Sequence, residues 1–379
     1  MKIAILTQPL GHNYGGLLQA YALQTYVKEL GFDVETVDRR VSDPGFGLTF
    51  KRYIFNVVKL SLGRIKSIPT ERRRAHVLKG LAAFRDSKLA MSPSITSEQK
   101  IRDYFRIEEF HAVVVGSDQV WRPRYSPSIL NFYLDFLGDT KRPIKRVAFA
   151  ASFGVDHWEY TDELTDRCKE LAQQFDAVSV RENSAVDFCR DKLGVAAKWV
   201  VDPTLLLEAS DYKQLMGDRG VNENNRYVLS YILDTAPEKK LIGDAVAEVL
   251  AENVFSIKPE FSIGQVCAKD IDKCTLPSVE SWLRGFHDAS FVVTDSFHGT
   301  VFAILFNKPF IAVGNSARGT ARFESLLSQF GLIERLVANR SEVTSELIHA
   351  AIDWPSVNAT RRVLTAEAQE FLKTHLSVR

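Results

Sequence analysis

The chain has 379 residues, of which 45% are apolar and 25% charged, with a formal net charge of +1. That length exceeds one ordinary hydrophobic core and predicts two domains, and the composition is that of a globular protein. A charge this close to zero gives no overall electrostatic attraction for nucleic acid, and four cysteines (Cys168, Cys189, Cys267, Cys274) without a CxxC pair predict neither a zinc site nor a disulfide framework.

Residues 2–7 predict a first strand rather than a signal peptide, because no longer apolar stretch follows them, and a cytoplasmic protein is expected. A glycine-rich loop at 11–16 comes next, then a helix over about 17–30 and a second strand at 34–38. The loop is not GxGxxG, so the dinucleotide fingerprint fails. Gly15 and Gly16 are expected to let backbone approach a ligand, with Asn13 and Gln19 presenting polar groups. Residues 50–89 predict a basic helical insertion. Eleven Lys and Arg side chains between Lys51 and Lys88 face only Glu71 and Asp86, interleaved with Tyr53, Ile54, Phe55, Val57 and Val58. Two expectations attach to it: a solvated helical face, or peripheral contact with an anionic membrane.

Further buried strands follow at 111–115, 146–151 and 176–180, each with polar groups at its C-terminal tip: Ser117, Asp118, Gln119 and Trp121 after the first of these, Arg181 after the last. Residues 199–204 close this half. A helix near 210–216 leads into the polar segment 217–225, the expected linker. The second half reads as strands at 227–233, 254–257, 290–294 and 310–313 with helices at 237–252 and 278–287, and a terminal helix at 366–376. The expected organisation is α/β with two Rossmann-like doubly wound domains facing a cleft: residues 1–216, residues 226–345, and a helical segment 346–379 packing back on the first domain.

The most informative stretch is Asp295-Ser296-Phe297-His298-Gly299-Thr300. It follows the β-branched run 292–294 and precedes an apolar helical segment, so it predicts a strand tip feeding a helix N-terminus. In open α/β sheets ligands bind beyond the carboxyl ends of strands, and a helix N-terminus attracts anions. A histidine placed there exchanges protons near neutral pH. Chemistry on an anionic substrate is the expectation.

Taken in order, Asn13-Tyr14-Gly15-Gly16-Leu17-Leu18-Gln19-Ala20, Gly116-Ser117-Asp118-Gln119-Val120-Trp121, Ser179-Val180-Arg181-Glu182, Asp202-Pro203-Thr204 and Asp295-Ser296-Phe297-His298-Gly299 resemble the motifs of the polysaccharide pyruvyl transferases. The resemblance spans about residues 1–330 and implies a GT-B-like architecture. It also implies transfer of the pyruvyl unit of phosphoenolpyruvate to two hydroxyls of a nucleotide- or lipid-linked saccharide, with release of phosphate, in capsule, exopolysaccharide or cell-wall glycan synthesis.

Phosphoenolpyruvate carries a carboxylate and a phosphate, and the arginine fork pairs bidentately with either. Arg181 is the first candidate to hold it and Arg318 and Arg322 the next, with Ser296, Gly299 and Thr300 at the helix start. His298 is the expected acid/base, with Asp295 orienting it or a sugar hydroxyl. Asn13, Gly15, Gly16, Gln19, Ser117, Asp118, Gln119 and Trp121 are expected on the acceptor side, Trp121 as an aromatic platform. His12, His111 and His157 are alternative catalytic partners. Phosphate is the leaving group and needs no metal, so no metal or cofactor is expected beyond phosphoenolpyruvate as co-substrate. Two other functions fit the same pattern: a GT-B glycosyltransferase using a sugar nucleotide, and a non-catalytic glycan-binding partner in polysaccharide assembly.

Overall fold

In the computed structural model, residues 1–42, 46–140, 143–217, 226–234, 236–314 and 320–377 are described. Two wholly parallel sheets organise them. The first holds β1 (Lys2–Leu6), β2 (Asp33–Thr36), β3 (Ala112–Val115), β4 (Lys145–Ala151), β5 (Ala177–Val180) and β6 (Lys198–Trp199) in the order β2-β1-β3-β4-β5-β6. The second holds β7 (Tyr227–Tyr231), β8 (Asn253–Phe255), β9 (Phe291–Thr294), β10 (Phe310–Val313) and β11 (Leu336–Val337) in the order β11-β10-β9-β7-β8. Every residue of β3, β9 and β10 is buried, as expected of parallel strands covered on both faces, which read as unbroken apolar runs. The strand order reverses between β1 and β3 in one sheet and between β7 and β9 in the other. Those reversals are the places where open α/β sheets leave a crevice at the strand ends.

The first helix, α1 (Tyr14–Glu29), begins three residues earlier than its apolar pattern suggests. Asn13 has extended backbone, and its side-chain oxygen accepts from the amide of Gly15 at 3.0 Å, a cap that starts the helix there. Gly15 and Gly16 therefore lie in a first helical turn, not in a loop. The body of α1 is buried against β2 and the turn Pro203–Leu206 of the first unit. Tyr14 stacks on Trp282 with ring centroids 5.3 Å apart, and its hydroxyl donates to the carbonyl of Pro277 at 2.7 Å. Leu17, Leu18 and Leu205 of the first unit and Trp282, Val301 and Phe302 of the second belong to one continuous apolar core.

The basic segment is three helices rather than one continuous stretch: α2 (Phe46–Ser61), α3 (Glu71–Val77) and α4 (Lys79–Lys88). Gly63, with φ of +66°, and Pro69 interrupt it, and the Thr70 hydroxyl caps α3 by accepting from Arg73. Then α3 leans on the second unit, where Leu276 donates to the carbonyl of Val77 at 3.0 Å. Leu81 and Phe84 of α4 enter the core.

The terminal helix runs from Trp354 to Leu376, twelve residues longer at its start than expected. Asp353 caps the amide of Ser356, and Pro355 sits in the first turn, where its missing N–H costs nothing. This helix returns to the first unit: Thr365 donates to the carbonyl of Leu205 at 2.8 Å, and Arg361 pairs with Glu208 at 2.6 Å. Most of the expected linker, residues 218–225, lies outside the described residues, as does Arg318.

Candidate functional site

The carboxyl ends of β3, β5 and β6 face the tip of β9 across the boundary between the two units. Arg181, the residue after β5, is 3% exposed, and its Nη1 donates to Asp202 Oδ2 at 2.7 Å. Asp118 lies 3.7 Å from Nη2 and Glu182 lies 3.7 Å from Nε, beyond hydrogen-bond reach, so Arg181 Nε and Nη2 are buried without a hydrogen-bond partner. Burial alone would lower the guanidinium's pKa. Asp202, Glu182 and Asp118 outweigh that and hold it above its ordinary value, so the buried group stays cationic. Glu182 accepts a hydrogen bond from Ser152, and burial pushes its carboxyl up, against the pull of Arg181.

Asp202 is fixed on both oxygens. Oδ1 accepts from the Thr204 amide at 2.9 Å and from the Thr204 hydroxyl at 2.7 Å, while Oδ2 takes Arg181 and lies 3.5 Å from His298 Nε2. Burial would raise this carboxyl, but His298 and Arg181 hold it well below the usual carboxylate range. His298 is 6% exposed and sits in the first turn of the helix Phe297–Leu305, whose cap is the Ser296 hydroxyl accepting from Gly299 at 3.2 Å. Its other face meets α1: a Cβ built on Gly15 would lie 2.0 Å from Nδ1. The close approach made by Gly15 in this structure is thus to the His298 ring, and only a glycine leaves room for it.

The Phe297 ring has two guanidiniums near it. The Arg181 carbon is 4.4 Å from its ring centroid and the Arg322 carbon 5.9 Å. Arg322 is half-buried, and desolvation of its guanidinium together with repulsion from Arg181 pushes its pKa down to about 10. Two arginines, one histidine and three carboxyls thus meet where the sheets converge. Among the described residues, no group of three or more His, Cys, Asp or Glu is placed to hold a metal ion.

Several expected site residues have other work. Asp295 accepts from the amides of Leu233 at 2.5 Å and Asp234 at 2.9 Å, with Lys239 at 3.8 Å, so it ties the tip of β7 to that of β9. The carboxylate facing His298 is Asp202 instead. Trp121 is 0% exposed, stacked on Tyr133 at 5.0 Å, and its indole N–H donates to the carbonyl of Phe132. It is core, not an open sugar platform, because the aromatic pocket that buries it belongs to its own unit. Ser117 donates to the carbonyl of Ala150, and Gln19 bridges Thr7, Gly16 and the Ser117 amide; both are fully buried backbone braces rather than ligand-facing groups. Gln119 gives its side-chain oxygen to Arg122. Thr300 donates to the carbonyl of Ser296 within its helix. Of His12, His111 and His157, none is paired with this cluster: His111 accepts from the Lys2 amide, His157 lies by Asp156 and Glu159, and His12 is exposed.

The residues that composition and spacing left without a role are Asp202, Glu182 and Phe297. Asp202-Pro203-Thr204 was visible as a motif, but by itself such a triplet is the signature of a turn. Only the folded chain sets it against His298.

The family model described as polysaccharide pyruvyl transferase matches residues 13–317. No curated protein matches the chain. Among solved structures, the S. aureus MnaA–UDP complex is similar over 92% of this chain and 88% of its own, at 10% identity and a TM-score of 0.54. Arabidopsis thaliana UGT89C1 complexed with UDP-L-rhamnose is similar over 99% of both chains, at 8% identity and a TM-score of 0.54. The UDP-GlcNAc 2-epimerase from Neisseria meningitidis bound to UDP-GlcNAc is similar over 99% of both, at 10% identity and a TM-score of 0.52. At such identities the likeness is one of fold: two facing α/β units of the GT-B kind.

Proposed function

This chain belongs to the polysaccharide pyruvyl transferases, and from that premise we propose that it moves the pyruvyl unit of phosphoenolpyruvate onto two hydroxyls of a saccharide in a polysaccharide precursor, forming a ketal and releasing phosphate. The observation that carries this reading is Arg181, a buried cation with two donor nitrogens, Nε and Nη2, left without hydrogen-bond partners. A buried donor left unsatisfied costs about 1–3 kcal/mol, and a carboxylate or phosphate oxygen would remove that cost. Arg322, near the same Phe297 ring, is the second anion holder, and Arg318 a third candidate.

His298 supplies the proton. The methylene carbon of phosphoenolpyruvate takes it and becomes the methyl group, while the first sugar hydroxyl bonds to the adjacent carbon. The second hydroxyl then displaces the phosphate oxygen from that carbon. One hydroxyl proton restores His298 and the other leaves with phosphate. Admission of donor and acceptor requires the seam between Gly15 and His298 to part. Asn13, exposed at that seam, is the remaining acceptor-side candidate on α1.

The acceptor is a nucleotide- or lipid-linked saccharide, and a cytoplasmic enzyme in peripheral contact with an anionic membrane fits the segment 51–88. Helices of globular proteins bury their apolar stripe. From Phe50 to Leu60 of α2 every apolar side chain is exposed, among them Tyr53 at 54% and Phe55 at 59%, as are Lys51 and Arg52, while Asn56 and Lys59 are only half-exposed. Among the described residues no helix is long and apolar enough to cross a membrane, so the contact is one that lies in the interface. Charge reversal at Arg72, Arg73 and Arg74, or Phe55→Asp, is expected to weaken binding to phosphatidylserine vesicles at low salt; vesicle binding indifferent to both changes contradicts the contact.

The test of the activity is phosphate release from phosphoenolpyruvate in the presence of saccharide acceptors. Release that requires an acceptor and falls by about 10²–10⁴-fold in His298→Ala is expected. Turnover of a sugar nucleotide without phosphoenolpyruvate would favour the glycosyltransferase reading. Ligand binding without turnover would favour the non-catalytic one.

A further inference from the structure

We infer that Asp202 is the positioning residue of His298 and that it couples occupation of the anion site to the charge on that histidine. The inference rests on the reading of His298 as the proton donor, and it comes from how the four lone-pair directions of one buried carboxylate are used. Thr204 takes Oδ1 twice, through its amide and its hydroxyl, which fixes the plane of the group. That leaves Oδ2, which serves two cations at once: Arg181 from its own unit at 2.7 Å, and His298 from the opposite unit at 3.5 Å. His298 Nε2 is buried with no hydrogen-bond partner, and Nδ1 is turned to Gly15. The only carboxylate at the imidazole among the described residues is therefore one that a neighbouring arginine already holds.

An opposite charge within about 4–6 Å favours the charged form of a titrating group. Asp202 thus favours the imidazolium, the state a proton donor needs, and Arg181 competes for the same oxygen. An oxyanion that engages Arg181 Nε and Nη2 draws the guanidinium toward itself and leaves Oδ2 more fully to His298. Donor binding and charging of the acid are then one linked event. The other charged groups of the cluster are Asp118 and Glu182, each 3.7 Å from Arg181, and Arg322, whose guanidinium carbon is 5.9 Å from the Phe297 ring centroid. From the helix Ala209–Met216, Tyr212 is the titratable group in the field of Asp202.

The test reads His298 directly. Labelled histidine is titrated by NMR in the whole protein, the His298 signal being assigned by its loss in His298→Gln, with and without inorganic phosphate as the probe anion. In Asp202→Asn the proton affinity of His298 is expected to fall about tenfold, and the alkaline limb of the kcat profile to move toward acid by the same factor. Phosphate is expected to raise the affinity in the natural sequence by more than the direct effect of its own charge, and so by more than in the variant. Thr204→Val, which keeps the carboxylate and its bond from the residue-204 amide but removes the hydroxyl bond that helps fix its plane, is expected to give a smaller fall, and Asp202→Glu to restore part of the loss. A His298 titration identical in folded Asp202→Asn overturns the inference, as does an Asp202→Asn that lowers kcat without moving its pH profile. Should Asp202→Asn not fold, an unchanged His298 titration in Thr204→Val overturns it equally. The titration uses no phosphoenolpyruvate, so it stands or falls separately from the proposed reaction.

Discussion

The tips of β3 and β9 look alike as sequence, each an apolar strand ending in small polar residues and an aromatic ring, yet they do opposite things. At β3, Ser117, Gln119 and Trp121 each find a partner within the first unit, and of that tip only the Asp118 carboxylate reaches the cluster, 3.7 Å from Arg181. Around β9, His298 Nε2 and the facing Arg181 Nε and Nη2 are buried without hydrogen bonds. Since nearly all buried polar groups are satisfied, the second tip is the one that asks for a ligand. Strand-end position nominates a site; hydrogen-bond accounting decides between nominees.

Substitutions can break this contrast. His298→Ala is expected to have the largest effect, a fall in kcat of about 10²–10⁴-fold with the fold intact by circular dichroism. Trp121→Phe should do the reverse. It removes the indole N–H from the Phe132 carbonyl and thins the stack on Tyr133, lowering stability by about 1–3 kcal/mol in urea unfolding while the KM for acceptor stays unchanged. A raised KM with unchanged stability would return Trp121 to the site. Gly15→Ala places a methyl group on the His298 ring, and overpacking of this kind costs about 1–3 kcal/mol; a lower melting temperature and a lower kcat are expected together.

The smallest expected effect lies in acid. Asp202 is held below its ordinary carboxylate value when folded, so its contribution to stability is present above about pH 4, the ordinary value, and is lost as pH falls toward the folded one. The melting temperature of the natural sequence should therefore fall more steeply below about pH 4 than that of Asp202→Asn. Parallel acid limbs would show that Asp202 is not so held.

Much of the fold was legible because its strands are buried on both faces: the runs at β3, β9 and β10 admit little else. β11 was not, since two residues carry no period. The start of α1 was misplaced because a glycine pair reads as loop, and only the Asn13 cap reveals a helix there. The front of the terminal helix was missed because Pro355, Asn358 and Thr360 are weak helix formers. Within the site, His298 and Arg181 announce themselves as reactive residue types at strand ends. Asp202 does not, because its meaning depends on a contact between two units nearly a hundred residues apart in sequence. The same holds for Gly15, whose small size is explained only by the ring that it touches.

The central claim is that the donors left open on Arg181 hold the anion that His298 acts on. Calorimetric titration of phosphoenolpyruvate into the natural protein and into Arg181→Lys tests it most directly. Lysine keeps the charge but loses the fork, and a hydrogen bond to a charged group is worth about 1.5–3 kcal/mol. Binding at one site per chain, weakened at least tenfold in Arg181→Lys, is the predicted result; equal affinity in the two proteins would contradict it.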